Sequence, residues 1–161
     1  MTALKNFLAF VWKLESLAIT ALLGLMVTIT FIAVINRNTI AIPMPWTEEI
    51  VRFMFLWCIM IAASKGVREN AHIGINVFTA LLPKKAQSYL NLFVIGLAIL
   101  VCVLLVWVGY IQTQNNIRQL SPSLGINMGL VYSGVAVGGG LMVISWLSLF
   151  ATAIRNLKQP K

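Results

Sequence analysis

Few residues in this sequence could do chemistry, and several of them stand close together. The acids are Glu15, Glu48, Glu49 and Glu69, with no aspartate; His72 is the one histidine, and Cys58 and Cys102 are the two thiols. A haem held by two histidines is excluded by the lone His72, and no Cys-x-x-Cys redox pair is present. Cys58 and Cys102 fall in apolar runs, where a free cysteine behaves as a small buried hydrophobe. The densest ionisable group is Pro45-Trp46-Thr47-Glu48-Glu49-Ile50-Val51-Arg52. Thr47 is a natural helix N-cap, and glutamates in a first turn suit the positive end of the helix dipole. Glu48 stands four residues and Glu49 three residues before Arg52. Either pairing would lower the cost of an arginine at a membrane edge. Trp46 suits an interfacial belt. Taken plainly, this is an anchored helix start. Taken functionally, Trp46, Glu48, Glu49 and Arg52 form an outward-facing patch for a partner protein or a sister membrane subunit.

Three further runs carry information. Lys65-Gly66-Val67-Arg68-Glu69-Asn70-Ala71-His72-Ile73 closes an apolar stretch. Cations there suit both a helix C-terminus and lipid headgroups, so Lys65, Arg68, His72, Lys84 and Lys85 are expected to anchor the chain at a membrane surface. Proline and glycine in Leu120-Ser121-Pro122-Ser123-Leu124-Gly125-Ile126-Asn127 predict an ordered turn. Ser121, Leu124 and Asn127 are candidates for a second partner contact there, although the turn could equally fold back on its own helices. Gly134-x-x-x-Gly138 lets helices approach closely, within this chain or against another.

The elements that must position these residues are set by composition. Of 161 residues, 60% are apolar or aromatic and 10% charged, with a mean hydropathy of +0.91. Soluble domains run near about 45–50% apolar and about 25% charged. A soluble enzyme and a free nucleic-acid binder are thereby excluded. Uncharged or nearly uncharged stretches at about 17–35, 48–66, 89–111 and 129–154 predict four transmembrane helices in one integral membrane domain over 1–161. Period-two alternation of barrel strands is absent. The first stretch is too long for a signal-peptide core and is expected to be a retained anchor.

The net charge of +8 is read as topology. With four spans, Lys5, Lys13, Lys65, Arg68, Lys84, Lys85, Arg155, Lys158 and Lys161 share one side, and Arg37, Arg52 and Arg118 the other. The positive-inside rule then places both termini in the cytoplasm. The N-tail (Leu4, Phe7, Leu8, Val11, Trp12) and the central loop (Ile73, Val77, Phe78, Leu81, Leu82) have the spacing of amphipathic interfacial segments in contact with membrane lipid, although the N-tail could equally continue the first span. In the central loop, Pro83 would end such a helix. The span interiors offer no Asp, Glu, Lys or His, and Arg52 lies near an end. Ion-coupled carriers need such groups, or exposed backbone, near the midplane. Neither a catalytic site nor a metal or cofactor site emerges, and the chain reads as a helper subunit.

In order and spacing these runs resemble the small DctQ-type membrane subunit of tripartite ATP-independent periplasmic (TRAP) transporters. The resemblance is carried by Trp46-Thr47-Glu48-Glu49-Ile50-Val51-Arg52-Phe53 with Phe55-Leu56-Trp57, by Asn70-Ala71-His72-Ile73, by Leu82-Pro83, by Ser121-Pro122-Ser123-Leu124-Gly125 and by Gly129-Leu130-Val131-Tyr132. It covers nearly the whole chain. It implies a bacterial inner-membrane protein that partners a large DctM-type subunit, where the substrate and sodium sites lie and an elevator motion occurs. It also implies a periplasmic substrate-binding protein as second partner. The small subunit would then enlarge the static scaffold and help dock that protein, for import of an organic anion such as a C4-dicarboxylate, sialic acid or another sugar acid. Some members are fused to the large subunit; ending at Lys161, this chain is expected to be separate. The alternative is a stand-alone four-helix assembly or interaction protein without a transport role.

Overall fold

The computed structural model describes residues 2–39, 42–70 and 83–158. Those residues form four helices: α1 (Thr2–Thr39), α2 (Pro45–Asn70), α3 (Lys84–Asn115) and α4 (Met128–Lys158). Each contains a segment long and apolar enough to cross a membrane: Ala9–Thr39, Pro45–Glu69, Tyr89–Asn115 and Met128–Ile154. All four expected spans are present, with longer helices than the apolar stretches alone suggest. Polar residues at an end still satisfy the backbone ladder of a helix, so composition underestimates length. The N-tail runs into α1 as one helix from Thr2, so its apolar spacing continues the first span. The expected central-loop helix and His72 lie outside the described residues. Pro83, in extended conformation, immediately precedes α3, which Lys84 and Lys85 open.

Thr47 is not the cap of α2. The helix begins two residues earlier, at Pro45, whose fixed φ and missing N–H suit a first helical position. The buried Thr47 hydroxyl instead donates back to the Met44 carbonyl at 2.7 Å. Asn36, also buried, stitches the end of α1 to the connection by donating to the Ile42 carbonyl at 2.6 Å.

The extensive helix contacts are α1 with α2, α2 with α4, and α3 with α4. The order across the row is therefore α1, α2, α4, α3, with α4 central and α1 and α3 at the edges. Lipid tails are as apolar as leucine, so close packing, rather than hydrophobic burial, must hold such helices together. Glycines on α4 provide it on two faces. Toward α2, Gly134 lies beneath the Trp57 ring and Gly138 against Met60, where an added Cβ would come within 2.5 Å of the Met60 Cβ. Toward α3, Gly139 meets Val106, and Gly129 meets Ile117 and Thr113. Gly109 of α3 returns the fit, since its Cβ would lie 2.6 Å from the Ala136 backbone nitrogen. Gly134 and Gly138 thus pack within this chain. Both cysteines are buried and free. The edge helices leave Leu17, Val27 and Phe31 of α1, and Leu100, Leu104 and Trp107 of α3, exposed.

Gly138→Ala is expected to cost about 1–3 kcal/mol, as overpacking does. Gly24→Ala has nothing within 4 Å of the new methyl, so it should be neutral or gain up to about 1 kcal/mol of helix propensity. Equilibrium unfolding in mixed detergent micelles compares the two variants.

Candidate functional site

Two polar assemblies stand toward opposite ends of α2. The first joins α1, α2 and α4. Glu15 of α1 is 4% exposed, and its carboxylate forms an ion pair with the Arg68 guanidinium of α2. The Ser64 hydroxyl, fully buried one turn before Arg68, donates to the other Glu15 oxygen at 3.0 Å and lies 3.0 Å from the Ser145 hydroxyl of α4. The guanidinium also donates to Ser145 at 3.0 Å and to Ser64 at 3.3 Å. Its remaining face lies over the Trp12 ring, 5.1 Å from the centroid, a cation–π distance. Among the described residues no buried side-chain donor or acceptor is left unpaired. A charge pair held this completely can persist in an apolar setting, and it fixes which helices meet and at what height.

Arg68, expected at the headgroups, thus turns inward in this structure. Lys65 stays on the exposed side, 3.6 Å from Glu69 in a solvent-facing pair worth little to stability. Sequence gave Glu15 and Ser64 no role beyond charge and composition. The available signal was a single glutamate beside an uncharged run, together with serine and arginine four apart on α2.

The second assembly joins the start of α2 to the turn before α4. The Glu49 carboxylate accepts from the backbone N–H groups of Ser123 and Leu124, both at 3.0 Å. This draws Glu49 to the turn. Among the described residues neither Glu48 nor Glu49 lies within ion-pair distance of Arg52. The turn is braced internally. The Ser121 N–H donates to the Ile126 carbonyl at 2.8 Å, the Ile126 N–H donates to the Ser121 hydroxyl, and Gly125 takes φ +64°. That left-handed conformation suits glycine. Asn127 donates to the Ile117 carbonyl and accepts from the Gly129 N–H. Ser121 and Asn127 therefore hold the turn, while Trp46 is exposed and Leu124 half-buried beside Glu49. Glu48 and Arg52 line a separate groove between α1 and α2. The patch read from sequence as one surface is divided between two places.

No group of three or more His, Cys, Asp or Glu able to hold a metal occurs among the described residues. What the chain offers is helix surface, an ordered turn and a buried clasp. The family model described as tripartite ATP-independent periplasmic transporters, DctQ component, matches residues 26–156. The chain belongs to the DctQ family. A putative TRAP transporter small permease protein of Haemophilus influenzae is 27% identical over 139 residues, 86% of each chain. The sialic acid TRAP transporter small permease protein SiaQ of Vibrio cholerae is 29% identical over 106 residues, 65% of this chain and 61% of that one. The sialic acid TRAP transporter permease protein SiaT of Haemophilus influenzae is 28% identical over 115 residues, 71% of this chain but 18% of its own length. This DctQ-family chain is a small TRAP subunit and, with its four apolar helices, a multi-pass protein of the inner membrane. The family match contains Glu49, the 121–127 turn, Ser64, Arg68 and Ser145; Trp12 and Glu15 precede it.

Removing one partner of the buried pair, by Glu15→Ala or Arg68→Ala, is expected to destabilise the chain by about 3–5 kcal/mol. Glu15→Leu with Arg68→Met should cost much less than the two single losses combined. Unfolding titrations in detergent measure both. Glu49→Ala should leave helix content unchanged and speed amide exchange at Ser123 and Leu124 at least tenfold, since two N–H groups lose their acceptor.

Proposed function

We propose that this chain is the scaffold and docking subunit of a sodium-coupled importer of an organic anion. Its partners would be a large DctM-type subunit, which binds substrate and sodium and moves as an elevator, and a periplasmic substrate-binding protein. In support, the relatives include the long permease SiaT, of which this chain matches 18%, as a small subunit joined to a larger one would. The charged groups near the helix centres are also few. Among the described residues the charged side chains of α1 and α2 lie toward helix ends and are either paired or exposed, which suits a subunit that is not itself the ion carrier. The relatives include sialic acid and C4-dicarboxylate transporter subunits, which supports an anionic substrate.

The observation that carries the docking role is the Glu49 carboxylate bridging to Ser123 and Leu124. A turn held to a helix start by a charge presents a fixed surface, and preorganisation lowers the cost of association. With both termini cytoplasmic, as the positive-inside rule assigns, this surface faces the periplasm. Trp46 and Leu124 are the side chains placed to contact the binding protein there. The apolar edges of the row, on α1 and α3, are the faces open to the large subunit and lipid.

Uptake by the co-purified complex in proteoliposomes tests the role. Trp46→Asp with Leu124→Asp is expected to lower uptake about tenfold at limiting binding protein, and excess binding protein should restore it. Unchanged uptake at limiting binding protein would remove the docking role. Loss of the large subunit during purification would instead mark the surface as a subunit interface.

A further inference from the structure

The docking surface leaves two charges over. Glu48 and Arg52 are both exposed, four residues apart on one face of α2, and neither has a hydrogen-bond or ion-pair partner among the described residues. They line a groove of about 440 Å³ between α1 and α2, whose walls also include Met26, Thr30, Ala33, Thr47, Val51 and Phe55. A second depression of about 420 Å³ shares Met26, Thr30 and Val51 with it and continues along α1 past Leu23, Val27 and Phe31. One end of this groove therefore carries an anion and a cation, and the rest is apolar apart from Thr30 and Thr47.

Arg52 is seven residues, or about 10 Å, inside the start of α2. An arginine at that depth facing lipid is costly unless a counter-charge reaches it. A guanidinium is a planar fork matched to phosphate oxygens, and charge-assisted bonds of that kind are the strong ones. Phosphate alone would place a negative group beside the Glu48 carboxylate. A headgroup carrying both a phosphate and an ammonium satisfies both side chains, because residues four apart on a helix stand about 5–6 Å apart at their Cβ atoms.

We propose that the α1–α2 groove binds one zwitterionic phospholipid, with its phosphate on Arg52, its primary ammonium on Glu48 and an acyl chain along Leu23, Val27 and Phe31. Such a lipid fills the open side of α1, the edge helix whose extensive contacts are with α2 alone. The site is separate from the surface of Trp46 and Leu124, so its loss leaves docking of a soluble partner unaffected.

Native mass spectrometry of the delipidated full chain in detergent, titrated with phosphatidylethanolamine, phosphatidylglycerol and inorganic phosphate, tests the site. The expected result is one phosphatidylethanolamine bound, at least tenfold tighter than phosphatidylglycerol, with no retained inorganic phosphate. Arg52→Gln should weaken phosphatidylethanolamine at least tenfold, and Glu48→Gln should abolish the preference over phosphatidylglycerol. Val27→Trp, which fills the apolar part of the groove, should weaken both lipids. Thermal unfolding of Arg52→Gln should match the parent chain, since Arg52 has no partner among the described residues. A phosphatidylethanolamine bearing a photoreactive acyl chain should label residues 23–34 in intact membranes. Equal lipid binding by the parent and Arg52→Gln would overturn the assignment. So would a preference for phosphatidylglycerol, retention of inorganic phosphate alone, or cross-links from position 27 to a protein partner in place of lipid.

Discussion

The arrangement of this molecule depends on where one buried charge finds its partner. Arg68 stands on α2 where the helix leaves an apolar row, and Glu15 stands on α1, the helix with the least support from its neighbours. Their ion pair, with Ser64 and Ser145 completing the hydrogen bonds, ties three helices at one level. Apolar contacts cannot set that level in a membrane, since leucine against leucine and leucine against lipid differ little. A charge pair can, because sliding α1 by one turn would leave a carboxylate and a guanidinium separately buried in an apolar medium.

Around that pair, the four helices divide the work between shape and polarity. Glycines on two faces of α4 bring α2 on one side and α3 on the other into close contact with α4. The polar assemblies lie toward the ends, where Glu15 and Arg68 lock one side and Glu49 holds the 121–127 turn on the other. Between them the helices carry an exposed apolar surface on α1 and α3. Among the described residues, that surface, the fixed turn and the groove at Arg52 are open. The chain's own polar groups are largely used in keeping it rigid.

The four apolar helices found among the described residues, their approximate centres and the family were legible in sequence. Each depends on composition over twenty or more residues, or on motif order, and neither requires knowing which side chains touch. The start of α2 shows where that ends. Charge spacing permitted Glu48–Arg52 and Glu49–Arg52 pairs equally, yet Glu49 turns to two backbone N–H groups more than seventy residues away. Spacing along one helix lists the neighbours a residue can have on that helix alone. A turn brought in by α4 is invisible to it. Thr47 has the residue type of a cap without being one, since Pro45 opens the helix before it.

Sequence by itself determined that the chain lives in a bilayer as four helices, because the cost of exposing so many apolar residues to water, or so many backbone groups to lipid, leaves no other solution. It determined the tight helix contacts in kind, through Gly134 and Gly138. Only the tertiary structure decided which charges are buried and which are free. Arg68 and Arg52 look alike in sequence, each a basic residue toward one end of the same apolar helix. Arg68 meets a glutamate from α1 and a serine from α4, whereas Arg52 faces a groove that it shares with Glu48 without pairing to it. The difference arises from how far apart the partners lie along the chain. A pairing across 53 residues is fixed by the packing of whole helices, and no local pattern encodes it.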